Sequence, residues 1–386
     1  MGKYRSLRRG GVPMRGAHSI MFAVCGLALS ISTAQGQQTS GPDPCNPCEI
    51  VARRVLGMTG GKDGLEGDPR AAVTMRDRRL LFIDWSPERP VRVADLGPDV
   101  LRDIMPVGEG PGEVRYAIDV HRSWNDTLFV FDHMLRRMNV LSPDGKFLRS
   151  FRLDVSSLAP DFIQLHDGRF VVAAESATRD GVGLPLHLID GTGAILKSFG
   201  LAERAGRLRT HEDLLRQHRL LALAPDGSFL SVRPGSYVIE HWSANGDQLG
   251  MWDVAPDWFA PKDKVMAASH EEPPPPKILG IQVDDDGLVW TLVIRADKGW
   301  QEGVAPPKRA PAVMDVTSYL DYVDAQVEVF SLDGAALQRV ASVRLDAPLG
   351  GFIGPGTATS IEITDDAGNP LVEFWRVHLR SGTSTP

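Results

Sequence analysis

The sequence predicts an all-β protein, a six-bladed β-propeller of four-stranded antiparallel blades whose ring is closed by an N-terminal strand paired with the C-terminal blade. Three observations carry this. Two sets of tight turns alternate along the chain, each beside a run of apolar residues. The turns recur in pairs at an interval of about 40 to 60 residues, stretched once to about 80. One strand near the start has no partner of its own, and the last unit lacks its outer strand.

Asp-Gly and Asn-Gly favour hairpin turns because glycine accepts positive φ without steric cost. Alternating apolar residues after such a turn mark a strand with one buried face. One set of turns precedes strongly apolar strands: Arg76-Asp77-Arg78, Asn125-Asp126, Asp167-Gly168, Asp226-Gly227, Asp286-Gly287 and Ala367-Gly368. The second set lies between them at Gly97, Asp144-Gly145, Gly191 to Gly193, Asn245-Gly246 and Asp333-Gly334. Two hairpins per unit make four strands, and a four-stranded antiparallel unit at this interval is a propeller blade. Six turns of the first set imply six blades. The sixth turn of the second set is missing because the chain ends soon after Trp375-Arg376-Val377-His378. The segment Glu49 to Leu56 can supply that outer strand and close the ring. Two β-sandwich domains are the competing reading, and they leave the lone N-terminal strand unexplained.

The chain divides into residues 1–36, a signal peptide; 37–48, a short linker; and 49–386, the propeller. Lys3, Arg5, Arg8, Arg9 and Arg15 make a basic start without an acid, followed by the apolar run Ile20 to Ile31. Ser32-Thr33-Ala34 or Ala34-Gln35-Gly36 offers the small residues that a signal peptidase requires. A buried N-terminal helix is the alternative. Met14 followed by Arg15 would also make a compact signal, so translation starts at Met1 or Met14. No apolar run reaches the roughly 18 residues of a membrane span, so no integral membrane segment is expected in the mature chain. Loss of the signal shifts the net charge from −7 to −12, which argues against nucleic acid and anionic membranes as partners. The expected location is periplasmic or extracellular, and a monomer is expected.

Cys45 and Cys48 form C-N-P-C after the presumed cleavage site. In an oxidising compartment this pair reads as a disulfide that pins the N-terminal strand, with a redox-active pair as the alternative. No His follows it, which excludes a c-type haem site, and no second pair exists for a four-thiolate zinc site.

Val107-Gly108-Glu109-Gly110-Pro111-Gly112-Glu113, then Leu128 to Asp132, Arg136-Arg137 and Ser142 to Phe147, resemble the NHL-related six-bladed β-propeller proteins of bacteria. In that group a G-x-G-P-G-E/F stretch links the first two blades, an aspartate ends one strand and an arginine opens the next. The N-terminal C-x-x-C also resembles exported members. The similarity is clearest over residues 45 to 155, and Val114 stands where many relatives have Phe. The resemblance implies fold and export and transfers no catalytic residues. It gives Gly108, Gly110, Pro111, Gly112 and Glu113 a structural role. As a dinucleotide fingerprint the same glycines fail, because proline interrupts them and no strand-to-helix setting follows.

The short turns fall on one face of the disc. The extra chain length, at 98–114, 201–217, 255–277, 295–322 and 345–358, falls on the other, which marks that face for binding. Its candidate binding residues are His211, Trp258, His270, Trp300, Tyr319 and Tyr322, with Glu212, Asp213, Glu271 and Glu272 beside them. Large amphipathic rings suit contact surfaces, although they could also pack the loops onto the disc. Pro273 to Pro276 and Pro306 to Pro311 should be stiff, extended arms. The function expected is therefore a non-enzymatic binding or scaffolding role toward a protein or peptide.

Chemistry-bearing motifs are sparse. There is no G-x-S-x-G elbow and no P-loop. His270-Glu271-Glu272 lacks the i, i+4 histidines of a zincin. Asp284-Asp285-Asp286-Gly287 has the composition of a calcium loop but lacks the later glutamate of an EF-hand and reads as a hairpin. No metal or other cofactor is expected, calcium being the one candidate. His121, His133, His166 and His187 lie near strands and read as structural or surface residues rather than bases. The alternative function, by fold analogy alone, is a calcium-dependent hydrolase or lyase of the lactonase-like propeller type. It would require polar groups from several blades, with Asp119, Glu175 and Asn245 as candidates, to converge on the central channel.

Overall fold

The computed structural model describes residues 48–59, 71–75, 79–83, 91–95, 101–153, 156–175, 184–201, 218–259, 275–297, 323–334, 336–346, 349–360, 363–364 and 370–381. These belong to one compact unit, Cys45–Pro386. They form strands and turns, with no helix among them.

Strand β1 (Cys48–Thr59) is followed by five blades in chain order. Blade one is β2 (Ala71–Thr74), β3 (Arg79–Ile83), β4 (Val91–Asp95) and β5 (Leu101–Met105). Blade two is β6 (Ala117–Arg122), β7 (Leu128–Asp132), β8 (Arg137–Leu141) and β9 (Phe147–Arg152). Blade three is β10 (Ser156–Gln164), β11 (Phe170–Glu175), β12 (Leu186–Ile189) and β13 (Ile195–Phe199). Blade four is β14 (Leu220–Leu223), β15 (Phe229–Val232), β16 (Val238–Trp242) and β17 (Gln248–Asp253). Blade five is β18 (Lys277–Val283), β19 (Val289–Ala296), β20 (Val323–Asp333) and β21 (Ala336–Leu345). Blade six holds β22 (Leu349–Gly354), β23 (Thr357–Ser360), β24 (Ile363–Thr364) and β25 (Pro370–Ser381).

Within each of the first five blades the strands lie in sequence order and antiparallel. The first strands touch one another in turn, β2 against β6, then β10, β14, β18, β22 and back to β2. They therefore line the central channel.

Blade six runs β22, β23, β25, β1, so the N-terminal strand is its outer edge. Ile50 pairs with Leu379, Ala52 with Val377 and Arg54 with Trp375, and the ladder continues to Thr59 opposite Leu371. Arg54 pairs with Glu373, and Arg380 with Glu49, along this seam. Ile50 is buried in the cluster of Trp290, Leu292, Val327 and Val329 between blades five and six. The expected closure of the ring is thus observed.

The core consists of layers between blades, because a blade has two faces to bury. Leu81, Ile83, Val91 and Val93 of blade one meet Val120, Leu128, Val130 and Leu141 of blade two. Phe129 and Phe151 meet Phe170 edge-on or tilted, with ring centroids 5.3 Å apart, between blades two and three. The inner hairpins need a residue with positive φ at their fourth position. Gly168 (φ 86°) provides it in blade three, and Asp126 (φ 64°) in blade two, since aspartate tolerates that region better than most side chains.

Three local expectations are corrected. The inner hairpin of blade six turns at Pro355-Gly356, between β22 and β23, and not at Ala367-Gly368, which lies outside the described residues between the second and third strand positions. Leu349–Gly354 escaped notice because three of its six residues are glycine, a composition that reads as loop. The interval 345–358 therefore contains a strand and a turn. Likewise 98–114 contains β5, an outer strand whose Arg102 and Asp103 face water and blur the alternation.

Candidate functional site: the central channel

Each first strand has a neighbour on one side only, so its other edge presents free N–H groups to the channel. In blades two and three an aspartate answers them. Asp119 and Asp161 both stand four residues before the hairpin, each just after an irregularity in the ladder. Asp119 Oδ1 accepts the Val120 N–H at 2.8 Å, and Asp161 Oδ1 accepts the Phe162 N–H at 2.8 Å. Asp161 Oδ2 reaches across to blade four and accepts the Leu221 N–H at 2.7 Å.

Burial pushes the Asp161 carboxyl up to about 7, against the pull of its two N–H donors. Burial, and then the charge of Asp161, hold Asp119 well above the usual carboxylate range. The charge of Asp161 in one blade thus opposes ionisation of Asp119 in the next. His121, two residues beyond Asp119, lies against the Phe162 ring at 5.2 Å. Burial first and Arg122 second lower it to about 4, which keeps the imidazole neutral.

A second group lies toward the strand starts, at the long-loop end of the channel. His218 precedes β14 and Lys277 opens β18. Burial, then Lys277 and Arg219, lower His218 to about 4. Burial lowers Lys277. Behind them Arg219 is fully buried, 3.5 Å from Glu240, which also pairs with Arg233 at 2.9 Å.

A calcium ion takes six to eight oxygens, and in blades two and three the described inner strands offer the carboxyls of Asp119 and Asp161. Among the described residues no three His, Cys, Asp or Glu side chains cluster for a metal. What the channel can do is bind polar groups and exchange protons near neutral pH.

Of the six candidate binding residues, Trp258 alone lies in the described part. It is half-buried, edge-on to Phe259 at 5.9 Å, with the Arg295 guanidinium 4.2 Å above its ring. His211, His270, Trp300, Tyr319 and Tyr322 lie outside the described residues, as do Glu212, Asp213, Glu271, Glu272 and Cys45. Cys48 opens β1. Asn245 sits in the β16–β17 turn on the short-turn face, where its side chain accepts from Arg169 at 3.1 Å, so it does not join the channel. Glu175 ends β11, a second strand.

Gly108 to Glu113 form the link between β5 and β6. Glu113 Oε2 accepts the Gly110 N–H at 2.7 Å, and a Cβ on Gly108 would stand 2.0 Å from that oxygen. Arg137 donates to the carbonyls of Glu109 and Glu113 at 2.9 and 2.6 Å. Asp132, fully buried, accepts the N–H groups of Arg115, Tyr116 and Leu135. The aspartate that ends β7 and the arginine that opens β8 thus clasp the link between blades. Val114 is fully buried in the layer between blades one and two, so this layer closes around valine.

Sequence reasoning does not find Asp161, His218 or Lys277, and it reads His121 as a structural or surface residue. One signal was available. Asp119-Val120-His121-Arg122-Ser123 and Asp161-Phe162-Ile163-Gln164-Leu165 share the same phase relative to their hairpins.

Solved structures share this fold. A member of the DUF4221 family from Bacteroides vulgatus superposes with a TM-score of 0.60 at 10% identity, over 87% of this chain and 99% of that one. A Bacteroides fragilis protein assigned provisionally to export superposes at 0.50 and 9% identity, over 87% and 97%. A gluconolactonase from Xanthomonas campestris reaches 0.46 at 13% identity, over 87% and 99%. No protein-family model matches the chain, and no curated protein matches its sequence. Among the described residues no helix is long and apolar enough to cross a membrane.

Proposed function

We propose that this is an exported, NHL-related binding propeller, without catalytic activity, that contacts a protein or peptide through its long-loop face. The observation that carries the reading is the one-sided distribution of chain length. The connections from Phe199 to Leu220, Asp253 to Lys277 and Ala296 to Val323 all leave from the same face, in blades three to five. On the opposite face the hairpins are five-residue turns such as 142–146 and 243–247, closed by backbone hydrogen bonds. Insertions confined to one face serve recognition in repeat folds. Trp258 beneath Arg295 gives that face a ring and a cation suited to a partner surface. The binding reading requires no metal, and calcium belongs to the alternative.

Photo-crosslinking tests it. A photoreactive residue replaces Trp258 in one variant and Asn245, on the short-turn face, in another, each in the full chain in the cell envelope. Protein adducts are expected at position 258 and not at 245. Equal labelling at both positions, or none at either, removes the reading. The hydrolase or lyase alternative is tested separately by melting the protein with chelator and with added calcium. Mass action would give a calcium-dependent fold a shift of several degrees, and no shift is expected here.

A further inference from the structure

The cations near the long-loop end of blades four and five are answered by acids of the fold or, for Arg295, by the Trp258 ring, with one exception. Glu240 answers Arg219 and Arg233, Asp324 answers Arg344 at 2.5 Å, and Glu328 answers Arg339 at 3.0 Å. Lys277 opens the inner strand β18 at the mouth of the channel, where it is half-buried. Among the described residues its ammonium has no hydrogen bond and no ion pair. On the neighbouring inner strand His218 feels the charges of both Lys277 and Arg219, and neither His218 nor Arg219 can neutralise the ammonium. Asp161, deeper in the channel, is occupied by the N–H groups of Phe162 and Leu221.

An ammonium withdrawn from water without a counter-ion is costly, and folds retain buried charge where it is paired. Here the pairing group is absent from the described protein, while the side chain stands at an opening. We propose that the channel mouth between blades four and five is a carboxylate-binding subsite in which Lys277 supplies the charge and His218 lies beside it. A single ammonium next to a neutral imidazole matches one carboxylate group, whether on a free acid or on a chain end. A phosphate is more commonly met by an arginine fork or a run of backbone N–H groups. His218 stays uncharged at neutral pH and can donate one ring N–H to the second oxygen. The subsite lies on the inner strands and goes beyond the partner reading, since it needs no rim loop.

The test uses the full mature chain with its lysines carrying 13C-methyl groups, a modification that keeps their charge. The Lys277 resonance is assigned by its loss in Lys277→Met. Succinate represents a free acid, and a short peptide with a free C-terminus represents the same group on a chain end. The same peptide amidated is the control. The Lys277 resonance is expected to move with succinate, with the free-ended peptide, or with both, and to stay put with the amidated peptide. In Lys277→Met, binding measured by calorimetry should weaken about tenfold or more. Without ligand this variant should melt about 2 °C or more above the wild type, because an unanswered charge is gone. The proposal is overturned if neither probe moves the resonance, if the amidated peptide acts as well as the free one, or if ligand-free Lys277→Met melts below wild type.

Discussion

On the third strand of each of blades one to five stands a buried polar side chain: Arg92, Asn139, His187, Glu240 and Glu328. Four of the five find partners inside the fold. Arg92 faces Asp103 at 3.4 Å. His187 meets Ser198 Oγ at 2.8 Å and the Ala174 carbonyl at 3.1 Å. Glu240 meets Ser231, Arg233 and Arg219, and Glu328 meets Tyr237, Arg339 and Ser342. The channel residues are only partly buried, and they are answered by little more than backbone N–H groups, or by nothing in the case of Lys277. Burial has moved Asp119, Asp161, His121, His218 and Lys277 each toward its neutral form. A partnered polar group locks neighbouring sheets together. An unpartnered one at an opening keeps its capacity for something that arrives from outside.

Glu328 gives the sharpest way to break this contrast. Tyr237, from blade four, is fully buried at φ 50°, a strained value for a bulky residue, and its hydroxyl bonds Thr291 and Glu328 of blade five. Glu328→Ala leaves that hydroxyl and Arg339 without their acceptor. Urea unfolding should show a loss of about 3 kcal/mol. A loss under about 1 kcal/mol would mean the lock is not structural. Asn139 is the exception within the first set, because both its amide atoms are buried without a hydrogen-bond partner. Asn139→Leu keeps the volume and removes two unsatisfied groups, so it should gain about 1 to 2 kcal/mol. A destabilised variant would instead place a bound water between blades one and two.

The two sets also differ in how far the sequence reveals them. Hairpins are local, so Asp144-Gly145 or Asn245-Gly246 announces a turn without knowledge of the rest of the chain. The free strand at Glu49 to Leu56 was legible because a four-strand unit at the far end lacked one member. Strand β22 was not, since its glycines carry no alternation, and β5 was hidden by Arg102 and Asp103. Convergence on the channel is non-local. Asp161 and Lys277 are 116 positions apart and meet the same opening only because the ring closes. The phase of Asp119 and Asp161 relative to their turns was visible in the sequence, but the desolvation that sets them apart from the surface aspartates of the hairpins was not.

The effect most specific to the channel is a change of slope with pH. Asp161 is raised in the folded state to about 7, from an unfolded value of about 3.9. Between these values the native protein holds a proton that the unfolded chain has released. The stabilisation from this group is therefore complete below about pH 4 and is lost as the pH rises through about 7. His218 runs the other way. Its folded value of about 4 lies below the unfolded 6.5, so its contribution is present above about 6.5 and is lost as the pH falls through about 4. In the wild type the two trends oppose each other, and His121 adds to the second. Differences between variants separate them. The stability of wild type relative to Asp161→Asn should fall from pH 4 to pH 7. Relative to His218→Gln it should rise over pH 4 to 6.5. Parallel stability curves for wild type and both variants would mean that these side chains titrate as surface groups do, and the channel would lose its distinction from the hairpin face.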